Sequence, residues 1–355
     1  MSYLLNVWYV AAMSSEVGEG LFQRTLLDRS IVFFRDLDGS PRALDDRCPH
    51  RFSPLHMGRK VEGLVECPYH GLRFDGTGAC VFNPQGPNGA DNVIPRRARV
   101  HSYPLVERYG LLWIWPGDVA KANEALIPSF PEWEDPQASP HGGCVRVGAN
   151  YQLMSDNILD VSHADYIHPG FTDGSMSRGL QEVEDDGEVI VSKFFMPSSR
   201  LPPILDPSQD PNGPIMDWWF DATWRAPAIL RVDTGRVPAG APRPESFPLS
   251  NIHCFTPETA TSTYYFWSVL YDDRAPFTEP LHDYLTRVFE REDTAMLEAQ
   301  QRAVGGADLL TLDPVVLYHD GAGLLARRRL HVRIADEAQV AVALAPEARH
   351  PESVR

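Results

Sequence analysis

Apolar and β-branched residues recur in short runs along the first third of the chain, and turn-forming residues separate these runs. Residues 30–34, 63–67 and 111–115 are such runs, and their length is typical of strands rather than helices. Glycine-containing stretches such as 75–78 favour turns between them. The pattern predicts a small antiparallel β domain over residues 20–120.

The pattern changes in the second half of the chain, where helical and strand-like segments are mixed. Residues 154–167 are predicted to form a helix that ends at Pro169-Gly170. A second helix is predicted over 280–303, where apolar residues lie at helical spacing. The predicted strands between these helices are residues 189–195, 218–224 and 263–270. We therefore expect an α+β fold, in which an N-terminal antiparallel β domain is followed by helices packed on an antiparallel sheet.

Prolines and glycines are concentrated over residues 127–143, which favours a linker between two domains. We expect residues 1–135 to form the first domain with its linker, and residues 136–335 to form the second. Residues 336–355 are polar, and we expect them to be a loosely ordered tail.

Composition narrows the functions that the chain can have. Hydrophobic residues make up 43% of its 355 residues and charged residues 23%, which is ordinary for a globular protein. The formal net charge of -16 argues against binding to nucleic acid or to an anionic membrane. No run approaches the roughly 18 apolar residues of a membrane-spanning helix, and the first residues lack the basic start of a signal peptide. We expect a cytoplasmic protein, and its five cysteines fit reduced thiols better than a disulfide framework.

Two of the cysteines have histidines close to them in the sequence. Cys48 and His50 form a Cys-x-His motif, and Cys67 and His70 form a Cys-x-x-His motif after sixteen intervening residues. In a Rieske [2Fe–2S] cluster, two cysteines bind one iron and two histidines bind the other. Tetrahedral zinc is the alternative, but zinc sites usually pair Cys with Cys and His with His. The mixed pairs therefore favour a Rieske cluster on these four residues.

A second set of metal-binding side chains lies in the first predicted helix. Asn157, Asp160 and His163 fall within an arc of about 120° on a helix, so they share one face. His168 precedes Pro169, which disfavours the helical conformation and can turn His168 back toward His163. Two histidines and one carboxylate form the facial triad of non-heme iron(II) oxygenases. The alternative is that both histidines are ordinary helix-end residues.

The carboxylate of such a triad has to come from another part of the chain. The candidates are Glu292 and Asp293 in the second predicted helix. On an ideal helix Glu292 lies at the centre of the apolar stripe and Asp293 toward its edge, so periodicity does not choose between them. Both could also be solvated charges in a helix rich in Glu and Arg.

These motifs, together with residues 6–11 (NVWYVA), 107–110 (ERYG) and 113–118 (WIWPGD), resemble the Rieske non-heme iron oxygenases of the vanillate O-demethylase and dicamba monooxygenase branch. The resemblance covers nearly the whole chain except the C-terminal tail. It implies Asp293 as the third iron ligand, because members of this branch place the ligand second in a similar Glu-Asp pair. It also implies a homotrimer, in which Asp160 accepts hydrogen bonds from His163 and from His70 of the neighbouring subunit. Asn157 is expected to act beside the iron with Asp160.

The function that the resemblance implies is that of a terminal oxygenase. Electrons from NAD(P)H would arrive through a separate reductase, directly or through a ferredoxin, and O2 would be the co-substrate. The implied reaction is O-demethylation of a methoxylated aromatic acid with release of formaldehyde. Arg225 and Arg231 are the candidate anchors for the carboxylate of that acid.

Other functions remain open on the sequence alone. Ring hydroxylation, methyl hydroxylation and cis-dihydroxylation of an aromatic compound would use the same architecture. A non-catalytic iron–sulfur electron carrier and a zinc-stabilised binding protein belong to different classes. The sequence does not name the substrate or the electron donor.

Overall fold

A computed structural model describes residues 3–85, 93–138, 140–170, 172–202, 205–206, 213–244, 249–271 and 279–344. Within them, three small antiparallel sheets form the N-terminal region, and one large antiparallel sheet with helices forms the C-terminal region. This arrangement confirms the predicted α+β fold class.

Short strands build the N-terminal region: β1 (Tyr9–Met13), β2 (Phe22–Leu26), β3 (Arg29–Arg35), β4 (Pro41–Asp45), β5 (Arg59–Val61), β6 (Leu64–Glu66), β7 (Arg73–Phe74), β8 (Cys80–Phe82), β9 (Ser102–Tyr103), β10 (Leu105–Arg108) and β11 (Leu111–Ile114). The orders within the sheets are β2-β3-β4-β9, β5-β6-β7-β8 and β1-β11-β10. In β3, Ile31 and Phe33 face one core and Val32 and Phe34 face another, because side chains alternate along a strand. Both faces of β3 are therefore covered.

The large sheet has the strand order β12-β18-β17-β16-β15-β14-β13, and all neighbouring strands are antiparallel. Its strands are β12 (His141–Val147), β13 (Leu180–Asp185), β14 (Val189–Ser199), β15 (Met216–Arg225), β16 (Ile229–Pro238), β17 (Leu249–Thr259) and β18 (Ser262–Tyr271). The three strands predicted here are confirmed as β14, β15 and β18.

The helices of the C-terminal region are α1 (Tyr151–Leu159), α2 (Ala164–Ile167), α3 (Glu279–Arg287), α4 (Asp293–Val304) and α5 (Gly321–Leu344). The prediction of one continuous helix over 154–167 is wrong. Helix α1 ends before Asp160, whose backbone is extended (φ -123°, ψ 98°), and the 3-10 turn Val161–His163 separates it from α2. His168 is also non-helical (φ -111°, ψ 85°), as expected for a residue before proline.

The second predicted helix is also interrupted. A π-helical segment, Val288–Glu292, lies between α3 and α4. A π-helical turn contains more residues than an α-helical turn, so it rotates the helix that follows relative to the helix before it. Asp293 is the first residue of α4.

Helices cover one face of the large sheet, and the N-terminal region covers the other. On the first face, Trp218 of β15 shares a core with Leu285 of α3. On the opposite face, Ile252 of β17 and Phe266 of β18 share a second core with Trp113 of β11. The large sheet therefore lies between the helices and the N-terminal region.

The predicted linker contains a buried side chain, and part of the predicted tail is helical. In the predicted linker, the 3-10 turn Pro131–Glu134 buries Trp133, whose indole N–H donates to Ser268 Oγ (2.8 Å). Helix α5 extends through residues 336–344, so the expectation of a loosely ordered tail is wrong there, and residues 345–355 lie outside the described residues. Across the described part of the chain, no helix has both the length and the apolar character needed to span a membrane.

Candidate metal centres and active site

Two loops, which together we call the cluster tip, bring the four predicted cluster ligands together. Cys48 and His50 lie on the loop after β4, and Cys67 and His70 lie on the loop after β6. Both cysteines are buried in the core that contains one face of β3, whereas the two histidine rings lie with their centroids 4.5 Å apart. The structure thus brings together the residues of both motifs.

Backbone hydrogen bonds fix the conformation of each loop. The N–H of Cys48 donates to the carbonyl of Ser53 (2.9 Å), and the N–H of Phe52 donates to the carbonyl of Cys48 (2.9 Å). In the other loop, the N–H of Gly71 donates to the carbonyl of Cys67 (3.1 Å). Gly71 has a φ of +74°, which glycine adopts without strain. Hydrogen bonds within the backbone therefore fix both loops.

The surroundings of these side chains fit a thiolate-bound cluster. Nδ1 of His70 is buried and has no hydrogen-bond partner among the described residues, as expected for a nitrogen that binds metal. Burial acts to raise the pKa of the Cys67 thiol, but the Ser53 hydroxyl and the N–H groups of Tyr69 and His70 lower that pKa below its ordinary value. Burial raises the pKa of the Cys48 thiol to about 11, so this group needs a metal to become a thiolate at neutral pH.

A second group of metal-binding side chains meets where the break after α1 faces the start of α4. Nε2 of His163 and Nε2 of His168 lie 3.4 Å and 3.3 Å from Oδ1 of Asp293. One donor atom from each residue lies within 4.8 Å of the other two. Two ligands at right angles, each about 2.1 Å from a metal, would be about 3 Å apart, so this spacing suits a first-row metal ion. The sequence left Glu292 and Asp293 as alternatives, and it is Asp293 that faces both rings.

The second nitrogen of each imidazole ring has its own partner. Nδ1 of His163 donates to the backbone carbonyl of Asp160 (2.7 Å), and Nδ1 of His168 donates to Oε2 of Glu292 (2.9 Å). A carbonyl and a carboxylate only accept hydrogen bonds, so both Nδ1 atoms carry the proton and both Nε2 atoms present a lone pair. Hydrogen bonds of this kind fix the tautomer and the ring orientation of metal-binding histidines.

Asp293 is held in its ionised form. It is only 5% exposed, and burial acts to raise its pKa. When the two imidazole rings carry a proton on Nε2, His163 and His168 outweigh that effect and hold the pKa of Asp293 well below its ordinary value, and a bound metal ion takes the place of those protons. The carboxylate is therefore available as an anionic ligand at neutral pH.

Asn157 lies beside the donor atoms, as the shared helix face predicted. Its Nδ2 is 3.3 Å from Nε2 of His163 and 3.1 Å from Oδ1 of Asp293. Asp160 is placed differently from the expectation, because the hydrogen bond from His163 goes to its backbone carbonyl and not to its carboxylate. Oδ1 of Asp160 accepts instead from the N–H of Ser162 (2.9 Å), which caps the 3-10 turn.

A largely apolar cavity opens beside the three donor residues, between the helices and the sheet. Strands β15, β16 and β17 form its floor, and α3 and the π-helical segment form part of its wall. The described residues that line it, besides the donors, are Ile158, Val161, Ala164, Met176, Pro202, Trp218, Phe220, Thr234, Asn251, His253, Tyr284, Leu285, Val288 and Phe289. Apolar walls with a few polar groups are typical of a small-molecule site.

Neither arginine that the sequence proposed as a carboxylate anchor lines this cavity. The guanidinium of Arg231 makes ion pairs with Glu132 (2.9 Å) and Asp233 (2.9 Å). Arg225 is exposed at the end of β15. The expectation that either residue holds a substrate is therefore wrong for the cavity beside the donor residues.

Several residues of the site were not identified from the sequence. Glu292 was weighed only as a possible ligand, not as the partner of His168. Asn251 and His253 lie on β17, a strand that the pattern did not predict because all its residues from 249 to 257 are buried and the apolar alternation is lost. The polar residues at alternate positions, Asn251 and His253, were the available signal.

A site for a Rieske cluster in an N-terminal β domain and a two-histidine, one-carboxylate site in a second domain are the two centres of a Rieske-type non-heme iron oxygenase. The Rieske [2Fe–2S] domain family matches residues 7–104, and the vanillate O-demethylase oxygenase C-terminal domain family matches residues 147–336. The chain belongs to the vanillate O-demethylase branch of the Rieske oxygenases. It is the oxygenase component of such a system, an oxidoreductase with a [2Fe–2S] cluster and a mononuclear iron.

Individual relatives are similar over nearly their whole length. The oxygenase component of chloroacetanilide N-alkylformylase from Rhizorhabdus wittichii is 33% identical over 94% of this chain and 97% of the relative. The oxygenase component of dicamba O-demethylase from Stenotrophomonas maltophilia is 35% identical over 93% of this chain and 97% of the relative. A crystal structure of dicamba monooxygenase bound to 3,6-dichlorosalicylic acid superposes with a TM-score of 0.86 at 33% identity, covering 95% of this chain and 99% of that one.

Proposed function

We propose that this chain oxidises an aromatic substrate by O-demethylation, removing the methyl group of an aryl methyl ether as formaldehyde. The observation that carries the proposal is the opening of the His163, His168 and Asp293 donors onto an apolar cavity. Relatives named as an O-demethylase and an N-alkylformylase support the removal of a carbon group from a heteroatom. The sequence suggested an aromatic acid as the substrate. Neither candidate arginine lines the cavity, so the proposal does not include an acidic group on the substrate.

The residues have separate roles in this proposal. Cys48 and Cys67 would hold one iron of the cluster and His50 and His70 the other, and the triad His163, His168 and Asp293 would hold the mononuclear iron. When bound, the cluster supplies electrons and the mononuclear iron supplies the activation of O2.

The remaining groups position and shield the reaction. Glu292 and the carbonyl of Asp160 keep the lone pairs of the two histidines aimed at one point. The amide of Asn157 adds a polar contact at the same point. Phe289 and Phe220 of the cavity lining exclude water and confine the methyl group near the donors.

The proposal requires a separate electron donor. We infer an NAD(P)H-dependent reductase, acting directly or through a ferredoxin, because both similar relatives are named as oxygenase components.

We also infer a homotrimer that assembles head to tail. Next to the cluster, Phe52 and Met57 are exposed apolar side chains. A groove on the outer side of the mononuclear site contains Asp160 and the exposed Val315 and Val316. Packing of the cluster tip of one subunit into this groove of the next would bury both apolar surfaces and bring the next subunit's cluster toward Asp160.

A single-turnover assay tests the proposed reaction. The purified, iron-loaded protein is reduced chemically, oxygen is admitted, and a panel of methoxylated and unsubstituted aromatic compounds is analysed by mass spectrometry. Loss of one CH2 unit with a matching amount of formaldehyde is the expected result. Gain of one oxygen atom or of two hydroxyl groups without formaldehyde would replace demethylation by hydroxylation or dihydroxylation.

A further inference from the structure

Three polar side chains cross the floor of the cavity on neighbouring strands: Trp218 of β15, Thr234 of β16 and Asn251 of β17. Thr234 pairs with Phe220, two residues from Trp218, and with Leu249, two residues from Asn251. Diagonal neighbours of this kind lie about 7–8 Å apart. The three side chains therefore form a diagonal across the sheet, which we call the polar diagonal.

Two members of the polar diagonal have polar atoms without a partner. Nε1 of Trp218 and Oδ1 of Asn251 are buried, and neither makes a hydrogen bond with any residue that the structure describes. The two residues are 0% and 2% exposed. Buried polar groups are normally satisfied, because an unmet donor or acceptor in an apolar setting costs free energy. Both residues line the cavity, so a molecule bound there is a candidate partner for these atoms.

The described residues that line the cavity offer no cationic side chain to a carboxylate. Among its described lining residues there is no lysine or arginine. His253 is 1% exposed, and burial lowers its pKa to about 3, so its ring is neutral at pH 7. A carboxylate bound on the polar diagonal would lie in a buried cavity without a cationic side chain from these lining residues beside it, which is unfavourable.

We propose that the substrate is an uncharged aromatic compound whose polar group both donates and accepts hydrogen bonds, as an amide does, and that Asn251 and Trp218 select it. The amide N–H donates to Oδ1 of Asn251, and an oxygen of the same molecule accepts from the indole N–H of Trp218. Thr234 lies between them on the middle strand, and its hydroxyl is a further polar group for the same ligand. This inference rests on the proposed oxygenase function, since it assigns a substrate class to that same cavity.

The test compares matched pairs of ligands. Binding of the ortho, meta and para isomers of methoxybenzamide and of methoxybenzoate to the full-length, metal-loaded, reduced protein is measured anaerobically by calorimetry at neutral pH. Each pair differs in the charge of one group while the ring and the methyl ether are kept. We expect at least one amide to bind about 10-fold or more tightly than its matching acid.

Variants of Asn251 and Trp218 test whether the polar diagonal causes the preference for an amide over the matching acid. Asn251→Leu keeps the approximate volume and removes the amide, and we expect the preference for the amide to disappear. Trp218→Phe removes the indole N–H and should weaken amide binding by about 5–10-fold. Trp224→Phe is the control. Trp224 also lies on β15, and its Nε1 is buried and makes no hydrogen bond with the described residues, but Trp224 is not among the residues that line the cavity. That variant should bind the amide as the wild type does.

The outcomes separate this inference from the proposed reaction. Acids that bind as tightly as the amides, or no binding by either class, would overturn the assignment of an uncharged substrate. Admitting oxygen to the same samples then tests the reaction. Formaldehyde from an acid would leave demethylation standing without the polar diagonal, whereas tight amide binding without formaldehyde would support the polar diagonal and count against demethylation.

Discussion

The adjacent residues Glu292 and Asp293 have different roles at the mononuclear site. Asp293 directs Oδ1 at both Nε2 atoms, whereas Glu292 accepts a hydrogen bond from Nδ1 of His168. Glu292 also lies 3.5 Å from the guanidinium of Arg287, which holds its carboxylate toward His168. Glu292 is therefore a positioning residue, and its loss should loosen His168 without removing a ligand.

Replacement of Glu292 tests this division of tasks. Glu292→Ala should lower the affinity for iron(II) by about 10–100-fold, because His168 loses the group that orients its ring. Glu292→Gln should recover part of this loss, since its amide oxygen can still accept from Nδ1. The measurement is iron(II) binding followed by competition with a chelator, and the Rieske absorption spectrum should be unchanged in both variants.

Glu290→Gln is the matched control for these variants. Glu290 lies in the same π-helical segment, but its Oε1 accepts from the indole N–H of Trp267 (2.8 Å). Wild-type iron affinity is expected for it. Equal losses in Glu290→Gln and Glu292→Ala would mean that general disturbance of the helix, and not orientation of His168, sets the affinity.

At the scale of residues, the structure brings together the four residues that the sequence predicted as cluster ligands, whereas the surroundings of the mononuclear site were predicted only in part. The ligand types and spacings around Cys48 and Cys67 are sufficient because two local loops supply all four side chains. The choice between Glu292 and Asp293 needed the resemblance, since a helical wheel assumes a regular helix and a π-helical segment lies just before Asp293. Asn251 was not identified, although it alternates with His253, because its neighbours across the sheet depend on the strand register.

Two irregular elements build the mononuclear site. The break at Asp160 frees its backbone carbonyl for His163, and the break at His168 turns that ring toward Asp293. The π-helical segment Val288–Glu292 sets the rotation of α4 relative to α3. Departures from regular helix geometry are common at functional sites, and each of these departures places a donor or its partner.

Deletion of Arg291 tests the role of the π-helical segment. Arg291 is exposed, and removal of one residue lets α3 and α4 join as a regular helix. The start of α4 would turn by about 100° relative to the cavity, so we expect loss of iron(II) binding with retention of the Rieske spectrum. Arg291→Ala is the control and should bind iron(II) normally. Full iron binding by the deletion variant would show that the segment does not position Asp293.

At the scale of elements, the strands and helices with a clear period were predictable and the others were not. The predicted strands β14, β15 and β18 are present, but β16 and β17 were not predicted, and β17 is buried along most of its length. Helix α5 was not predicted either, and the consecutive arginines at 327–329 interrupt its apolar residues. Arg327 pairs with Asp156 of α1, and Arg329 pairs with Asp185 of β13.

At the scale of the whole molecule, the proposal depends on contact between subunits. The cluster tip and the outer groove each combine a metal-site residue with exposed apolar side chains. Val315 is 84% exposed in the groove and Met57 is 67% exposed near the cluster. Exposed apolar surface at both places is unfavourable in an isolated chain and favours an interface.

Substitutions at the two surfaces test the assembly. Met57→Asp and Val315→Asp should each shift the protein from trimer toward monomer, because a buried carboxylate without a partner opposes association. Leu37→Asp is the control, since Leu37 is similarly exposed (81%) on the β3–β4 hairpin and belongs to neither surface. Light scattering coupled to size exclusion measures the mass. A monomeric wild-type protein would contradict the proposed assembly.

Asp160→Asn tests the proposed path between neighbouring subunits. Asparagine still caps the 3-10 turn through Ser162 and leaves the backbone carbonyl for His163, so iron content and fold should be unchanged. Loss of the negative charge should slow re-oxidation of the cluster during turnover by at least about 10-fold if Asp160 bridges to the next subunit. Stopped-flow absorbance follows the cluster, and a rate equal to that of the wild type would rule out the bridge.

The central claim is that His163, His168 and Asp293 hold the iron at which the substrate is oxidised. Single turnover of His163→Ala, beside the wild type, tests it most directly. We predict a normal Rieske spectrum, normal reduction of the cluster, and loss of formaldehyde from a substrate that the wild type demethylates. Full turnover by His163→Ala with an intact cluster would contradict the claim and move the chemistry away from this site.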